Sequence, residues 1–406
     1  MKILYTNFHC GSGGGHTTYI RELARGLSAR HEVHVAVPEE SRLLREVRAI
    51  PDIHAFAQSY PNGLRALSSR SRPCARLRSY LQEHQFDIVH VNGSADHRLV
   101  IAALRGLPRR PHIVLTKHNT KPMRGLQHVW RARFGTDKVI AVCDFVRRQL
   151  DNTAYRHCRP ETVYNGVDTA FFSPAEACEP FTSAQPLKIG SNAGTADYKG
   201  WMDLAEALKM LTRGERERIR IIVAGQPPSA IQREALAQSG MQDHFHFPGL
   251  LDDVRPMIAG LDVGFVLSHD IETISFACRE MMSMGKPVMV TDYAGLPENI
   301  APGIDGWIVP VHGCAAMANA LRDMLNDREG LLRRGKAARQ RAIAEFHIET
   351  FLEHTEAIYM RLLEGAPSLE HRVQDRPRMR RRAVRTQEPS ARPEPVSSRP
   401  DLARRA

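Results

Sequence analysis

Two carboxylates, Glu272 and Glu280, stand with seven residues between them in the run Leu267–Ile300. The apolar run Val263–Leu267 reads as a buried strand, and a polar loop carries the chain to Glu272. Glu280 falls inside a helix-forming run, and Pro287–Asp292 reads as the next strand. Strand, loop, helix N-terminus and parallel return strand make one βαβ unit. Ligands in such units sit at the carboxyl ends of the strands, where helix N-termini favour anions. Two carboxylates framing that spot point to hydroxyl recognition beside a phosphate site.

Other residues have suitable chemistry and plain alternatives. Lys199-Gly200 lies between a Gly-bearing loop and a helix, where a Lys can hold a phosphate. The first loop, Cys10–His16, runs between a strand and a helix and carries Gly14 and Gly15. Glycine there lets backbone approach a phosphate or sugar, or simply makes a tight turn. A GxGxxG from Gly11 would need glycine in place of His16, so the loop is not a dinucleotide fingerprint. His118 closes the run HIVLTKHN at a strand's carboxyl end, where it either contacts a reacting sugar or serves as a structural histidine. His90 is a weaker case of the same kind. His244 and His246 lack a third ligand of suitable spacing, so zinc is not expected. Asp252-Asp253 reads as a helix cap.

The elements that must position these residues alternate strand and helix throughout. Candidate strands are Ile3–Thr6, Glu32–Val37, Ile53–Phe56, Asp87–Val91, His112–Lys117, Lys138–Val142 and Thr162–Tyr164 in the first half. Those of the second half are Leu187–Gly190, Ile219–Ala224, Phe245–Phe247, Val263–Leu267, Val288–Thr291 and Trp307–Val309. Many are continuous Val/Ile runs, as expected of parallel strands covered by helices on both faces. Thr17–Arg30 and Trp201–Leu211 are periodic and predict helices. A linker is expected at Phe172–Pro186. Ala315–Ala344 reads as helical, split in two near Gly330 and Gly335, and Ile348–Leu363 is amphipathic. The expected class is α/β, with two doubly wound domains facing a cleft.

Composition bounds the rest. The 406 residues suit two domains. The segment from Ala366 holds eleven Arg against five acidic residues, +6 of a net +11, and is expected to be a solvated, disordered tail. Seven scattered Cys with no CxxC fit reduced thiols. MKILYTN is too short an apolar run for a signal peptide, and no run is long enough for a membrane span. A cytoplasmic protein is expected, with peripheral contact to the inner membrane face. Leu64–Leu81 carries five Arg among apolar residues and suggests a cationic amphipathic helix for an anionic surface, although Pro73 interrupts it.

Together these pieces resemble the retaining glycosyltransferases of the GT-B fold, the group that includes bacterial family-four envelope sugar transferases. The resemblance runs from the first loop to about Phe346. Its most specific parts are Glu272 to Glu280, matching the family's E-x7-E motif, and the GKPVMVTDYAGLPENI that follows. Val163–Asp168 is similar to the family's hinge signature. The resemblance implies an N-terminal acceptor-side domain over 1–172 and a nucleotide-sugar domain over 187–346. A helix over 347–364 would cross back to the first domain, and a basic tail would occupy 365–406. It places catalysis on His118, Lys199 and Glu272. Lys199 would neutralise the diphosphate leaving group, and Glu272 would contact the donor sugar's hydroxyls. Backbone N–H groups of Thr273, Ile274 and Ser275 would face sugar and phosphate. Glu280 would hold the ribose, Leu250 would lie near the base, and Gly14 and Gly15 would close over the phosphates.

Two departures stand out. The family's Arg before the Lys is absent from Ser191–Thr195. Arg279 could replace it, although an exposed helix Arg is the plainer reading. Thr273-Ile274-Ser275 stands where many members have Gly-Phe-Gly. The implied reaction is metal-independent, without a resident cofactor, and takes the nucleotide-diphosphate sugar as co-substrate. The implied acceptor is an envelope glycan or glycolipid, such as a lipopolysaccharide core or another lipid-linked saccharide. The alternatives are a non-catalytic nucleotide-sugar-binding scaffold, which would release no nucleotide, and a sugar-nucleotide epimerase or hydrolase, which would turn over without acceptor. Nucleic-acid binding would rest on the tail alone and is not expected.

Overall fold

The computed structural model describes residues 1–11, 14–62, 71–174 and 185–365. Ser12–Gly13, Leu64–Arg70, most of the Phe172–Pro186 linker and the tail from Ala366 lie outside the described residues.

The first domain runs β1 (Lys2–Thr6), α1 (Gly15–Ser28), β2 (Glu32–Val37), α2 (Arg42–Arg48), β3 (Ile53–Ala57), α3 (Ser71–His84), β4 (Ile88–Val91), α4 (Ser94–Ala103), β5 (His112–Lys117), α5 (Leu126–Gly135), β6 (Lys138–Ala141), α6 (Asp144–Asp151) and β7 (Glu161–Thr162). The second runs β8 (Leu187–Ser191), α7 (Asp203–Lys209), α8 (Arg213–Glu217), β9 (Ile219–Ala224), α9 (Ala230–Gln238), β10 (Phe245–Gly249), α10 (Arg255–Ala259), β11 (Val263–Val266), α11 (Phe276–Ser283), β12 (Val288–Thr291), β13 (Gly306–Val309), α12 (Cys314–Asn326) and α13 (Arg328–Glu345). Helix α14 (Ile348–Gly365) follows.

The sheets have seven strands in the order β3-β2-β1-β4-β5-β6-β7 and six in the order β10-β9-β8-β11-β12-β13. Neighbouring strands are parallel. Each domain is therefore doubly wound, with its order reversing between β1 and β4 in one sheet and between β8 and β11 in the other. Crevices for ligands open at such switch points, outside the carboxyl ends of the strands. The strands owe their placement to apolar runs: Ile88–Val91 and Val263–Val266 are buried at every position, which fits strands covered on both faces.

Several contacts tie the domains together. Val167 donates its N–H to the Phe346 carbonyl at 2.8 Å and accepts from Ile348 N at 3.0 Å, which fixes the start of α14. Helix α14 then packs on the first domain: Phe351 lies 5.1 Å from the Tyr19 ring, and Tyr359 Oη meets His90 Nδ1 at 2.5 Å. Glu298, from the second domain, accepts from Asp144 N at 2.7 Å and Phe145 N at 2.6 Å. It thereby satisfies the otherwise unpaired N–H groups that open α6.

Two expectations are corrected. The helical break falls at Asp327, not at Gly330 and Gly335. Asp327 Oδ1 accepts from Gly330 N at 2.8 Å and starts α13, which continues through both glycines. A Cβ at Gly335 would come within 2.2 Å of the Gly285 carbonyl oxygen, so this glycine permits close packing and does not end the helix. The described part of the basic stretch also differs from the expected membrane-facing helix. Leu77 and Leu81 of α3 are buried in the first core, and Tyr80 stacks on Phe56 at 3.9 Å. Its apolar face is already covered by protein, and Pro73 sits harmlessly in the first turn.

Candidate functional site

A cavity of about 840 Å³ lies between the two switch points. The loops after β1, β4 and β5 line it from one side, and those after β8 and β11 from the other.

On the second-domain wall, Lys199 and Glu272 meet at 2.5 Å, with side chains only 14% and 15% exposed. Ser268 Oγ also approaches Glu272 Oε2 at 3.4 Å. Lys199 is held by a short turn that Gly200 closes at φ +65°; a Cβ there would meet the Leu267 carbonyl oxygen at 2.0 Å. The Lys-Gly pair is thus a steric requirement as well as a chemical one. Ile271, beside Glu272, has φ +62°, which for a β-branched residue is a strained conformation of the kind found at functional loops. Thr273, Ile274 and Ser275 also line the cavity, with the first turn of α11. Ser275 caps that helix through its Oγ, and the helix N-terminus favours an anion nearby.

The first-domain wall holds His118, Gly14 and Gly15. Helix α1 begins at Gly15, with Gly14 at its N-cap. Asn92 orders His118: its Nδ2 donates to the Thr6 and His90 carbonyls at 3.2 and 3.3 Å, which turns Oδ1 toward His118 Nε2 at 2.9 Å. An amide oxygen only accepts, so His118 carries its proton on Nε2 and keeps its lone pair on Nδ1. Its ring lies 4.2 Å from His16 and 4.6 Å, edge-on, from Tyr19. Burial, with the neighbouring histidines and Lys117, holds the His118 pKa well below the usual histidine range, and burial takes His16 down to about 3. Both rings are neutral at pH 7. The His118 carbonyl accepts from Thr273 Oγ1 at 2.7 Å, a direct bond across the cleft.

Glu280 and Leu250 stand apart from this group and are not among the cavity's lining residues. Glu280 is half-buried behind the wall and accepts at 2.5 Å from Asn192 Nδ2; Asn192 itself lines the cavity. Burial raises the Glu280 pKa. Leu250 is 70% exposed beyond β10. Arg279 corrects the reading as an exposed side chain: it is fully buried, 3.9 Å from the Phe346 ring, and bonded to Asn299 Oδ1 and the Asn165 carbonyl. It clamps the second core and does not stand in for the missing cation. Asp253 Oδ1 accepts from Arg255 N at 2.9 Å, a turn-capping contact.

Glu32, His34 and His54 bring potential metal-ligand atoms within 4.8 Å of one another. They lie along β2 and β3 and are not among the cavity's lining residues. Glu32 is already engaged by Lys2 and His34, each at 2.9 Å. Sequence reasoning missed Asn92, His16, Lys117 and Arg131 in the first-domain wall. Only the pairing of β4 with β5 brings Asn92 to His118; no local motif marks it.

Residues 13–171 match the family model described as Glycosyltransferase Family 4, and residues 188–327 match that of Glycosyl transferases group 1. Both domains thus match glycosyltransferase family models, and their two doubly wound sheets make a GT-B fold. It is 33% identical over 164 residues to the putative colanic acid biosynthesis glycosyltransferase WcaL of Escherichia coli, a match covering 38% of this chain and 39% of that protein. It is 24% identical to the N-acetyl-alpha-D-glucosaminyl L-malate synthase of Bacillus anthracis, over 87% of this chain and 95% of that one. The chain thus spans about two-fifths of the length of WcaL that it matches, and nearly all of the malate synthase. Among solved structures, a Rickettsia africae glycosyltransferase superposes with a TM-score of 0.77 at 19% identity, over 90% of this GT-B chain and 99% of its own. Anabaena HepE in complex with UDP-glucose superposes with a TM-score of 0.70 at 17% identity, over 89% and 100%.

Proposed function

We propose that this GT-B glycosyltransferase moves a sugar from a nucleotide-diphosphate donor to an envelope glycan or lipid-linked saccharide, such as a lipopolysaccharide core, with retention of anomeric configuration. The observation that carries the reading is the Lys199–Glu272 pair at the head of α11, facing His118 across the cleft. Donor entry would part the pair. Lys199 and the helix N-terminus would then stabilise the charge that grows on the departing diphosphate, more strongly in the transition state than before it. Glu272 would be freed for the sugar's hydroxyls, while the neutral His118 holds the reacting face. The transition state is oxocarbenium-like, as in glycoside hydrolysis, and the acceptor hydroxyl would attack on the face that the diphosphate leaves. This reading assigns leaving-group neutralisation to Lys199 without a metal and needs no resident cofactor.

HepE's complex with UDP-glucose supports a nucleotide-sugar donor, and WcaL's name supports an envelope acceptor. Among the described residues no helix is long and apolar enough to cross a membrane. Peripheral contact is supported instead by α5, where Leu126, Val129 and Trp130, at i, i+3 and i+4 on one face, are 88%, 46% and 39% exposed. Lys121, Arg124 and Arg133 flank them, a composition suited to the anionic inner face of a membrane. The test is transfer from UDP- and GDP-sugars to lipid-linked acceptors, with the product anomer read by NMR. An inverted anomer would defeat the retaining mechanism, and turnover without acceptor would favour an epimerase or hydrolase. The missing cation near Asn192 favours a second reading, a nucleotide-sugar-binding scaffold that releases no nucleotide with any acceptor.

A further inference from the structure

Burying a cation without a counter-charge is costly, yet the first-domain wall of the cleft does so twice. Arg131 is 2% exposed and Lys117 is 8% exposed, and both line the cavity. Arg131 Nη2 donates to the His128 ring at 2.9 Å, and its Nε has no partner. Lys117 Nζ donates to Asn119 Oδ1 at 2.5 Å and to the Lys121 carbonyl at 2.7 Å. Neither forms an ion pair with a carboxylate among the described residues. A side pocket of about 360 Å³ opens beside them, sharing Lys117 and Lys121 with the main cavity and adding Arg124 and Arg148. No Asp or Glu lines it. Of these cations, Arg148 is the one with an ion pair among the described residues, to Glu298 at 3.8 Å.

The crowding of positive charge marks the neighbours too. Burial, with Lys121 and Arg131, brings the Lys117 pKa down to about 7, and burial with Arg131 brings His128 to about 4. In the proposed reading, Lys199 and the α11 N-terminus serve the donor's diphosphate on the opposite wall. The first-domain cations therefore call for a second anion.

We infer that this wall is an anion subsite, and that the acceptor carries a phosphate or carboxylate group that docks between Lys117 and Arg131. The inference rests on the transferase reading, in which the first domain is the acceptor side. A phosphate or carboxylate would give Arg131 a charge-assisted partner and hold Lys117 in its charged form. The exposed Lys121 and Arg124 would draw the anion in.

Calorimetric titration of inorganic phosphate and of malonate into protein saturated with UDP or GDP, whichever it binds, tests this. The expected result is one anion bound per chain with nucleotide affinity unchanged. Lys117→Met should weaken anion binding about tenfold or more. The exposed variants Lys121→Ala and Arg124→Ala, which leave the core intact, should weaken it about fivefold each. Phosphate that competes with the nucleotide would put the anion in the donor's diphosphate position and overturn the inference. Binding to phosphatidylglycerol vesicles with no binding of either soluble anion would reduce these cations to lipid-surface charge and overturn it too. If no nucleotide binds, the transferase reading fails, and the titration on the nucleotide-free protein still decides whether the anion subsite exists.

Discussion

On one wall of the cleft Lys199 and Glu272 sit 2.5 Å apart and neutralise each other. On the other, Lys117 and Arg131 are as deeply buried and meet no acid among the described residues. The first wall stores its charges as a pair that a donor would open. The second holds uncompensated charge and a group of neutral histidines. Arg279 shows that a buried cation need not await a ligand: it also lacks a carboxylate partner among the described residues, but aromatic rings and two oxygens surround it and it lines neither of the two cavities described above. A ligand role follows from a buried cation only where the cation faces open space.

The largest effect expected from this contrast is on the paired wall. Lys199→Ala or Glu272→Gln should each lower kcat by about 10²–10³-fold, as does the loss of other groups that stabilise developing charge. Rates near wild type in a nucleotide-release assay would remove the pair from the chemistry. Arg279→Ala should cost about 3 kcal/mol or more, through a cavity and two orphaned acceptors. Its nucleotide affinity should be unchanged; a selective loss of affinity with full stability would return Arg279 to the phosphate site.

Acid should weaken the first domain through its buried histidines. His90 and His97 are fully buried, and burial lowers both pKa values to about 3 from 6.5. Below pH 6.5 the unfolded chain takes up protons that the folded one refuses, so stability is complete above that value and falls as pH drops toward 3. The pair should cost roughly 2–3 kcal/mol by about pH 5.5. Asp96, raised to about 6 by burial, acts in the opposite direction between 3.8 and 6. Denaturant melts across this range check the sign, and a stability that rises on acidification would contradict it. The smallest effect should come from the tie between the walls. Glu298→Ala should cost about 1–2 kcal/mol through loss of the α6 cap and widen the cleft in small-angle scattering.

The same contrast explains what the sequence made legible. The second-domain wall is written locally: Lys199-Gly200 and the span from Glu272 to Glu280 each lie within one loop and helix of a βαβ unit. The strands were legible because Val/Ile runs covered on both faces leave a continuous signal. The first-domain wall is assembled from β1, β4, β5 and α5, and its contacts exist only once those elements pair. Asn92 reaches His118, and Arg131 reaches the cavity, through sheet order alone. Arg279 was misread because the rings that bury it, Tyr164 and Phe346, come from distant parts of the chain. The Gly330 and Gly335 reading failed because Gly335 serves close packing against the Gly285 carbonyl inside a continuous helix.

The most direct test of the central claim is a thermal-shift panel of UDP- and GDP-sugars on wild type and Lys199→Ala. A donor at 100 times its dissociation constant should add about 2.7 kcal/mol of stability. The account predicts a shift with one nucleotide class that is lost in the variant. No shift with any nucleotide-sugar, or an equal shift in Lys199→Ala, would contradict it.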